Sequence, residues 1–178
     1  AAAPIRVCRD ECDAAGIRGV VVNSGNANAA TGEQGYRDAL AMRDAAAATL
    51  GFEPRTVAVA ETGVIGVPLE LARVLDGIEG AAAALSGAGG EEFSRAIMTT
   101  DRGPKRCTLS VGGVTVSAQA KGAGMIEPGF ATMLCFVQTD ARVPEPQRSL
   151  RDGVVRSFER ITVDGQMSTN DTVLLQAS

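Results

Sequence analysis

One segment does more than any other to limit what this chain can fold into. Cys107–Val111 and Val114–Ala120 alternate around Gly112-Gly113, and a Gly-Gly pair is a good two-residue turn for an antiparallel hairpin. An antiparallel pair argues against a fully parallel doubly wound sheet. Helical segments occur on both sides of it, so the expected fold is α/β, a layered sandwich with mixed or antiparallel sheets. The 178 residues suit one domain with a sizeable core, or a tightly joined pair of layers.

The other elements follow from pattern and punctuation. Gly19 to Val22 is a short β-branched run that reads as a buried strand, with Asn23-Ser24-Gly25-Asn26-Ala27-Asn28 as a polar turn after it. The three asparagines fit structural Asx turns, or amides lining a site. Gly35 to Leu50 is Ala-rich with Gly51 as a stop, which predicts a helix. A strand over Thr56 to Ala60 is expected to end at Glu61-Thr62-Gly63-Val64-Ile65-Gly66, with Pro68 opening a second helix through about Leu75. Strand, Thr-Gly turn and helix N-terminus together would offer N–H groups to a negative charge, although an ordinary βα turn has the same spacing.

Gly77 to Gly90 is Ala/Gly-rich and the most linker-like part of the chain, and Glu91 to Met98 reads as a short helix. After the hairpin, Thr132 to Gln138 reads as a strand. Gln147 to Phe158 places Leu150, Val154, Val155 and Phe158 on one helical face. Ile161 to Asp164 looks short and extended, Ser168-Thr169-Asn170-Asp171 a polar turn, and Thr172 to Leu175 a final strand.

Composition closes off several functions. A net charge of −4 without a Lys/Arg cluster argues against nucleic-acid binding. Aromatic residues are 3% and Trp is absent, so stacking platforms and aromatic cages are not expected. No apolar run approaches the ~20 residues of a membrane span. Cys8 and Cys12 would share a helical face, but Cys107 and Cys135 form no second close pair and histidine is absent, so a zinc site is not expected. Reduced thiols in a cytoplasmic protein are the plain reading. The chain begins Ala-Ala-Ala-Pro without Met and stops at Ser178 just after a strand-like run, as expected of a piece of a longer protein.

The absence of histidine also removes Ser-His-Asp and Cys-His catalysis. Attention then falls on Lys121 to Leu134, where Gly122, Gly124 and Gly129 allow positive φ or close approach, Pro128 fixes one turn, and an apolar segment begins at Thr132. A Thr hydroxyl is a poor nucleophile until a base removes its proton. That base could be a Lys, a carboxylate, or the residue's own α-amine if the Ala131–Thr132 bond is cut. A free α-amine titrates near pH ~7.7–8 and can serve at neutral pH.

Five segments in order resemble the ornithine acetyltransferase (glutamate N-acetyltransferase) family, arginine-pathway enzymes that mature by self-cleavage before a Thr. They are Asn23-Ser24-Gly25-Asn26-Ala27-Asn28 with Thr31-Gly32; Thr62-Gly63-Val64-Ile65-Gly66; Met98-Thr99-Thr100-Asp101 with Pro104-Lys105; Lys121-Gly122-Ala123-Gly124-Met125-Ile126 followed by Pro128 and Ala131-Thr132-Met133-Leu134; and Arg160-Ile161-Thr162-Val163-Asp164-Gly165 with Ser168-Thr169-Asn170-Asp171-Thr172. The resemblance implies a self-cleaving N-terminal-nucleophile architecture in which 1–131 belongs to one processed chain and 132–178 begins the other, within one structural unit.

By position, it implies that Thr132 is the nucleophile, freed by a cut after Ala131, and that Thr62 and Gly63 form the oxyanion hole. Lys121, Thr132 and the Thr99-Thr100 pair, Thr100 slightly favoured, would contact substrate. The implied reaction is ping-pong acetyl transfer from N2-acetylornithine to glutamate through an acetyl-Thr intermediate, without metal or cofactor. The implied assembly is α2β2, without nucleic-acid or membrane partners.

Four positions depart from the family's usual residues: Glu61 for Ser, Arg102 for Thr, Glu159 for Asn and Gln166 for Asp. They lie near substrate-side segments and could alter donor or acceptor preference. Two other readings stay open at this point: a hydrolase of the same architecture, of aminopeptidase or amidase type, and an inactive or structural fragment.

Overall fold

A computed structural model describes residues 1–128, 130–131 and 133–178. The chain forms two compact units, Ala1–Gly89 and Gly90–Ser178, with the boundary at the end of the Ala/Gly-rich, linker-like stretch.

In the first unit α1 (Ala3–Glu11), β1 (Gly19–Asn26), α2 (Gly32–Leu50), β2 (Val57–Val64) and α3 (Leu71–Ala83) follow in order. β1 and β2 pair in parallel, from Gly19 opposite Val57 to Gly25 opposite Gly63, which requires a crossover that α2 supplies. Val57 and Val59 of β2 enter a core with Val7 of α1, Met42, Ala46 and Ala47 of α2 and Ile78 of α3. The alanines of α2 keep its inner face thin enough for close packing. Sequence reading did not delimit α1, although it placed Cys8 and Cys12 on one helical face. Their thiols donate to the carbonyls of Val59 (3.1 Å) and Val57 (3.2 Å), covering backbone groups that the ladder to β1 does not use.

Three expectations for this unit need correction, the first being that Asn23–Asn26, expected as a turn, continue β1. Thr62 and Gly63 remain within β2 rather than forming a turn, because β1 continues beside them as far as Asn26. The second helix begins at Leu71, not Pro68. The Asn26 side chain donates to the carbonyls of Val67 (3.0 Å) and Pro68 (3.3 Å), occupying acceptors that a helix starting at Pro68 would use internally.

The second unit contains α4 (Gly90–Ala96), β3 (Lys105–Val111), β4 (Val114–Lys121), β5 (Ile126–Glu127), β6 (Phe130–Ala131), β7 (Leu134–Thr139), α5 (Pro146–Arg156) and β8 (Thr172–Ala177). The sheet order is β3-β4-β7-β8, with two antiparallel pairings and a parallel one between β7 and β8. The mixed sheet and the hairpin bear out the α/β expectation. Phe136 of β7 is fully buried and meets Phe93 of α4 edge-on, ring centroids 5.3 Å apart.

β5 and β6 form a small hairpin with Ile126 opposite Ala131. The Ala131–Thr132 bond therefore falls inside this unit; Thr132 itself and Gly129 lie outside the described residues. α5 stops at Arg156 rather than Phe158, where the Ser157 hydroxyl donates to the Gly153 carbonyl (2.7 Å) and ends the helix. Residues 161–164 form no strand; the Val163 N–H donates to the Ile126 carbonyl (2.9 Å). Among the described residues no helix is long and apolar enough to cross a membrane.

Candidate active site

In the second unit the site residues gather where β4 ends. Lys121 is 3% exposed; its ammonium donates to the Thr99 hydroxyl (2.8 Å) and lies 4.0 Å from an Asp101 oxygen. Burial lowers the Lys121 pKa, with Asp101 opposing the shift. Asp101 accepts from Lys105 and from the Gly122 amide (2.8 Å). Its own burial would raise its pKa, but the hydrogen bonds from Lys105, Gly122 and Thr99 outweigh that and leave it below the ordinary value. Of the expected Thr pair it is Thr99 that meets Lys121, although both residues of the pair are exposed.

Sheet register carries this cluster towards the expected cut. Lys121 lies opposite Leu134, and Leu134 opposite Thr172. Just before that register point, Met133 is held at both backbone groups: its N–H donates to Asp171 Oδ1 (3.0 Å), and its carbonyl accepts from the Thr172 N–H (3.0 Å). The other Asp171 oxygen is buried and has no hydrogen-bond partner among the described residues. Burial pushes the Asp171 pKa up to about 7, against the pull of the Met133 N–H and Lys121.

The loop leading to β5 is fixed by a second carboxylate. Asp164 accepts from the amides of Met125 (2.7 Å) and Ile126 (3.1 Å), and Met125 takes the left-handed conformation at φ 55°. A side chain on Gly124 would crowd the same carboxylate, its Cβ falling 3.3 Å from Asp164 Oδ2.

In the first unit Thr62 is buried and Gly63 exposed near the end of β2. Gly63 has φ 135°, and a Cβ there would overlap the Gly25 carbonyl group and approach Asn26 N to 2.6 Å. The Glu61 side chain before them is fully buried. It accepts from the amides of Asn28 (2.9 Å) and Asn23 (3.3 Å), while Asn28 also donates to the Gly35 carbonyl (2.8 Å) and accepts from the Thr31 hydroxyl (2.6 Å). Burial pushes the Glu61 pKa up to about 7 despite these two donors. Asn26 makes an Asx turn, accepting from the Asn28 N–H (2.7 Å). Of the two purposes open at the sequence level, the turn is seen at Asn26, while the amides of Asn23 and Asn28 hold the buried Glu61 carboxylate.

Sequence reading passed over Asp171 and Asp164 as site residues. Each sits in a segment that looks like turn or extended chain, and its carboxylate gains a role only through amides 38 or 39 positions away. Among the described residues no three His, Cys, Asp or Glu side chains are grouped to hold a metal ion.

The family model for the ArgJ family matches residues 1–178. The chain is similar to the arginine biosynthesis bifunctional protein ArgJ of Symbiobacterium thermophilum, 53% identical over 183 residues that cover 99% of this chain and 46% of that protein. The corresponding protein of Bacillus subtilis is 47% identical over 184 residues, covering 99% and 45%. Among solved structures, ornithine acetyltransferase from Mycobacterium tuberculosis, complexed with ornithine, aligns with TM-score 0.70 and 38% identity over 72% of this chain and 71% of that one. ArgJ of Bacillus halodurans aligns with TM-score 0.52 and 31% identity over 76% and 64%. The chain spans about half the length of the curated relatives it matches.

Proposed function

Because the chain belongs to the ArgJ family, we propose that it is part of a glutamate N-acetyltransferase that moves the acetyl group of N2-acetylornithine to glutamate. Thr132 is its nucleophile, released by a cut after Ala131. Its hydroxyl attacks the acetyl carbonyl while its α-amine accepts the hydroxyl proton. Thr62 and Gly63 form the oxyanion hole that stabilises the charge developing on the carbonyl oxygen. Ornithine leaves with the transferred proton on its α-nitrogen. The amine of glutamate then attacks the acetyl-Thr ester and restores the free hydroxyl.

The observation that carries this reading is the buried Lys121 ammonium held between Thr99 and Asp101. Donor and acceptor are both α-amino-acid derivatives, each with a carboxylate. A cation fixed in a low-dielectric setting recognises that shared group with more energy than one in water. On the same reading the two processed chains stay associated as α2β2 in the cytoplasm, a compartment that suits four free thiols.

The test is product analysis with the full-length protein. With N2-acetylornithine and glutamate supplied, N-acetylglutamate and ornithine should form in equal amounts, with little acetate. Acetate as the sole acyl product, unaffected by glutamate, would replace this reading with a hydrolase.

A further inference from the structure

We infer that Glu61 is a positioning residue for acetyl transfer: its carboxylate brackets the stretch of backbone against which Gly63 lies. This rests on the reading of Thr62 and Gly63 as the oxyanion hole, and names the side chain that keeps that segment in shape.

Gly63 is fixed by backbone rather than by side chains. It is exposed, takes φ 135° and lies opposite Gly25. Even a methyl group there would overlap the Gly25 carbonyl group and the Asn26 nitrogen. The Gly25–Asn26 peptide is therefore the wall that decides where Gly63 can sit. That wall is not stiff by itself. Gly25 takes φ 113°, in a region where glycine moves freely. The strand register also shifts at Asn26, which faces both Thr62 and Val64.

The Glu61 carboxylate supplies the stiffness from both flanks. Its Oε2 accepts from Asn23 Nδ2 (3.3 Å), and the same amide donates to the Asn26 carbonyl (2.9 Å). Its Oε1 accepts from Asn28 Nδ2 (2.9 Å), and the Asn28 N–H donates to Asn26 Oδ1 (2.7 Å). One carboxylate thus ties residue 23, before the wall, to residue 28, after it. Asn28 is anchored in turn to the start of α2, through the Gly35 carbonyl (2.8 Å) and the Thr31 hydroxyl (2.6 Å). Glu61 and Asn28 are both 0% exposed, so water does not compete for the bonds between them.

Stability alone is a poor reason for a carboxylate here. Val57, Val59 and Ala60 before it are buried, and an apolar side chain would continue that strand without the desolvation of a charge. Positioning is a better one. Donors to a developing oxyanion act fully only when they are in place before the charge forms. A displaced Gly63 would weaken contacts made in the transition state and leave ground-state binding of substrate as it was.

The experiment measures acetyl transfer by the full-length protein at about pH 8.5, above the range in which Glu61 takes up a proton. Rates are normalised to the ornithine released in the first turnover, and thermal unfolding is followed alongside. Glu61→Gln keeps an acceptor for one of the two asparagines; Glu61→Ala keeps neither. The expected kcat is lower by ~10-fold in the Gln variant and ~10²-fold in the Ala variant, with KM for N2-acetylornithine and glutamate within ~2-fold of wild type. Asn23→Ala should also lower kcat, and its effect combined with Glu61→Ala should be smaller than the product of the two. A lowered unfolding temperature with wild-type kcat overturns the inference, and so does a loss carried by KM. If the Ala variant does not fold, a wild-type kcat in Glu61→Gln overturns it. Thr62→Ala and Gly63→Ala serve as references in the same assay: wild-type kcat in both overturns the oxyanion reading instead.

Discussion

The Lys121 ammonium donates to the Thr99 hydroxyl across 2.8 Å, joining the last residue of β4 to the segment that follows α4. Lys121→Met keeps the length of the side chain and removes its charge. It should raise KM for both N2-acetylornithine and glutamate and lower kcat/KM by ~10- to 100-fold, the loss for a charge-assisted contact worth about 1.5–3 kcal/mol. Thr99→Ala, which removes the hydroxyl that Lys121 meets, should cost less, and Thr100→Ala less again. Steady-state kinetics on the three variants checks the order; a wild-type kcat/KM in Lys121→Met would remove Lys121 from substrate binding.

Gly63 combines a left-handed φ with a backbone neighbour where its Cβ would sit. Gly63→Ala should destabilise the protein by about 1–3 kcal/mol and depress acetyl transfer more than the stability loss explains. Gly77 in α3 has open space around its would-be Cβ. Gly77→Ala should therefore raise stability, by ~0.5–1 kcal/mol, without changing kcat. Urea unfolding and initial rates on the pair separate the two effects.

Glu61 sets a pH dependence whose sign follows from its burial. Its pKa rises from an ordinary 4.5 to about 7, so between those values the folded state holds a proton that the unfolded chain has lost. Its contribution to stability should fall as pH rises through that window and level off above it. Glu61→Gln removes the titration. Its unfolding free energy relative to wild type should therefore improve between about pH 4.5 and 8 by something on the order of 3 kcal/mol, whatever the fixed effect of swapping an oxygen for an amide. Parallel stability curves for the two proteins across that range would contradict this placement of Glu61.

Cys12 and Cys8 differ in ionisation although they share a face of α1. Interaction with the neighbouring Cys8 thiol holds Cys12 down, to about 7, and the same interaction raises Cys8. Burial pushes Cys135 up to about 11. At pH 7.5, roughly, iodoacetamide should label Cys12 well before Cys8 or Cys135, because the thiolate is the reactive form. Peptide mapping over time reads the order, and equal labelling of Cys8 and Cys12 would contradict it.

The elements legible in the sequence are those whose cause is local. Gly112 and Gly113 take φ 60° and 82° and close the hairpin expected of them, and the Ala-rich run before Gly51 forms α2. Expectations slipped where a distant side chain decides. Asn26 takes the carbonyls of Val67 and Pro68 and delays α3. Gly25 and Gly63 run together as parallel strands where a turn was expected. For the site, short motifs picked out Lys121 and Thr99, which the structure joins. Asp171 stayed hidden because its meaning depends on which strand β8 pairs with, a long-range choice that no local pattern encodes.

The most direct test of the central claim is peptide-resolved mass spectrometry of the full-length protein after brief incubation with N2-acetylornithine and no glutamate. A break between Ala131 and Thr132 is expected, with one acetyl group on the Thr132 side chain that disappears when glutamate is added. An uncut wild-type chain, or an acetyl group that forms elsewhere and persists in a Thr132→Ala variant, would contradict it.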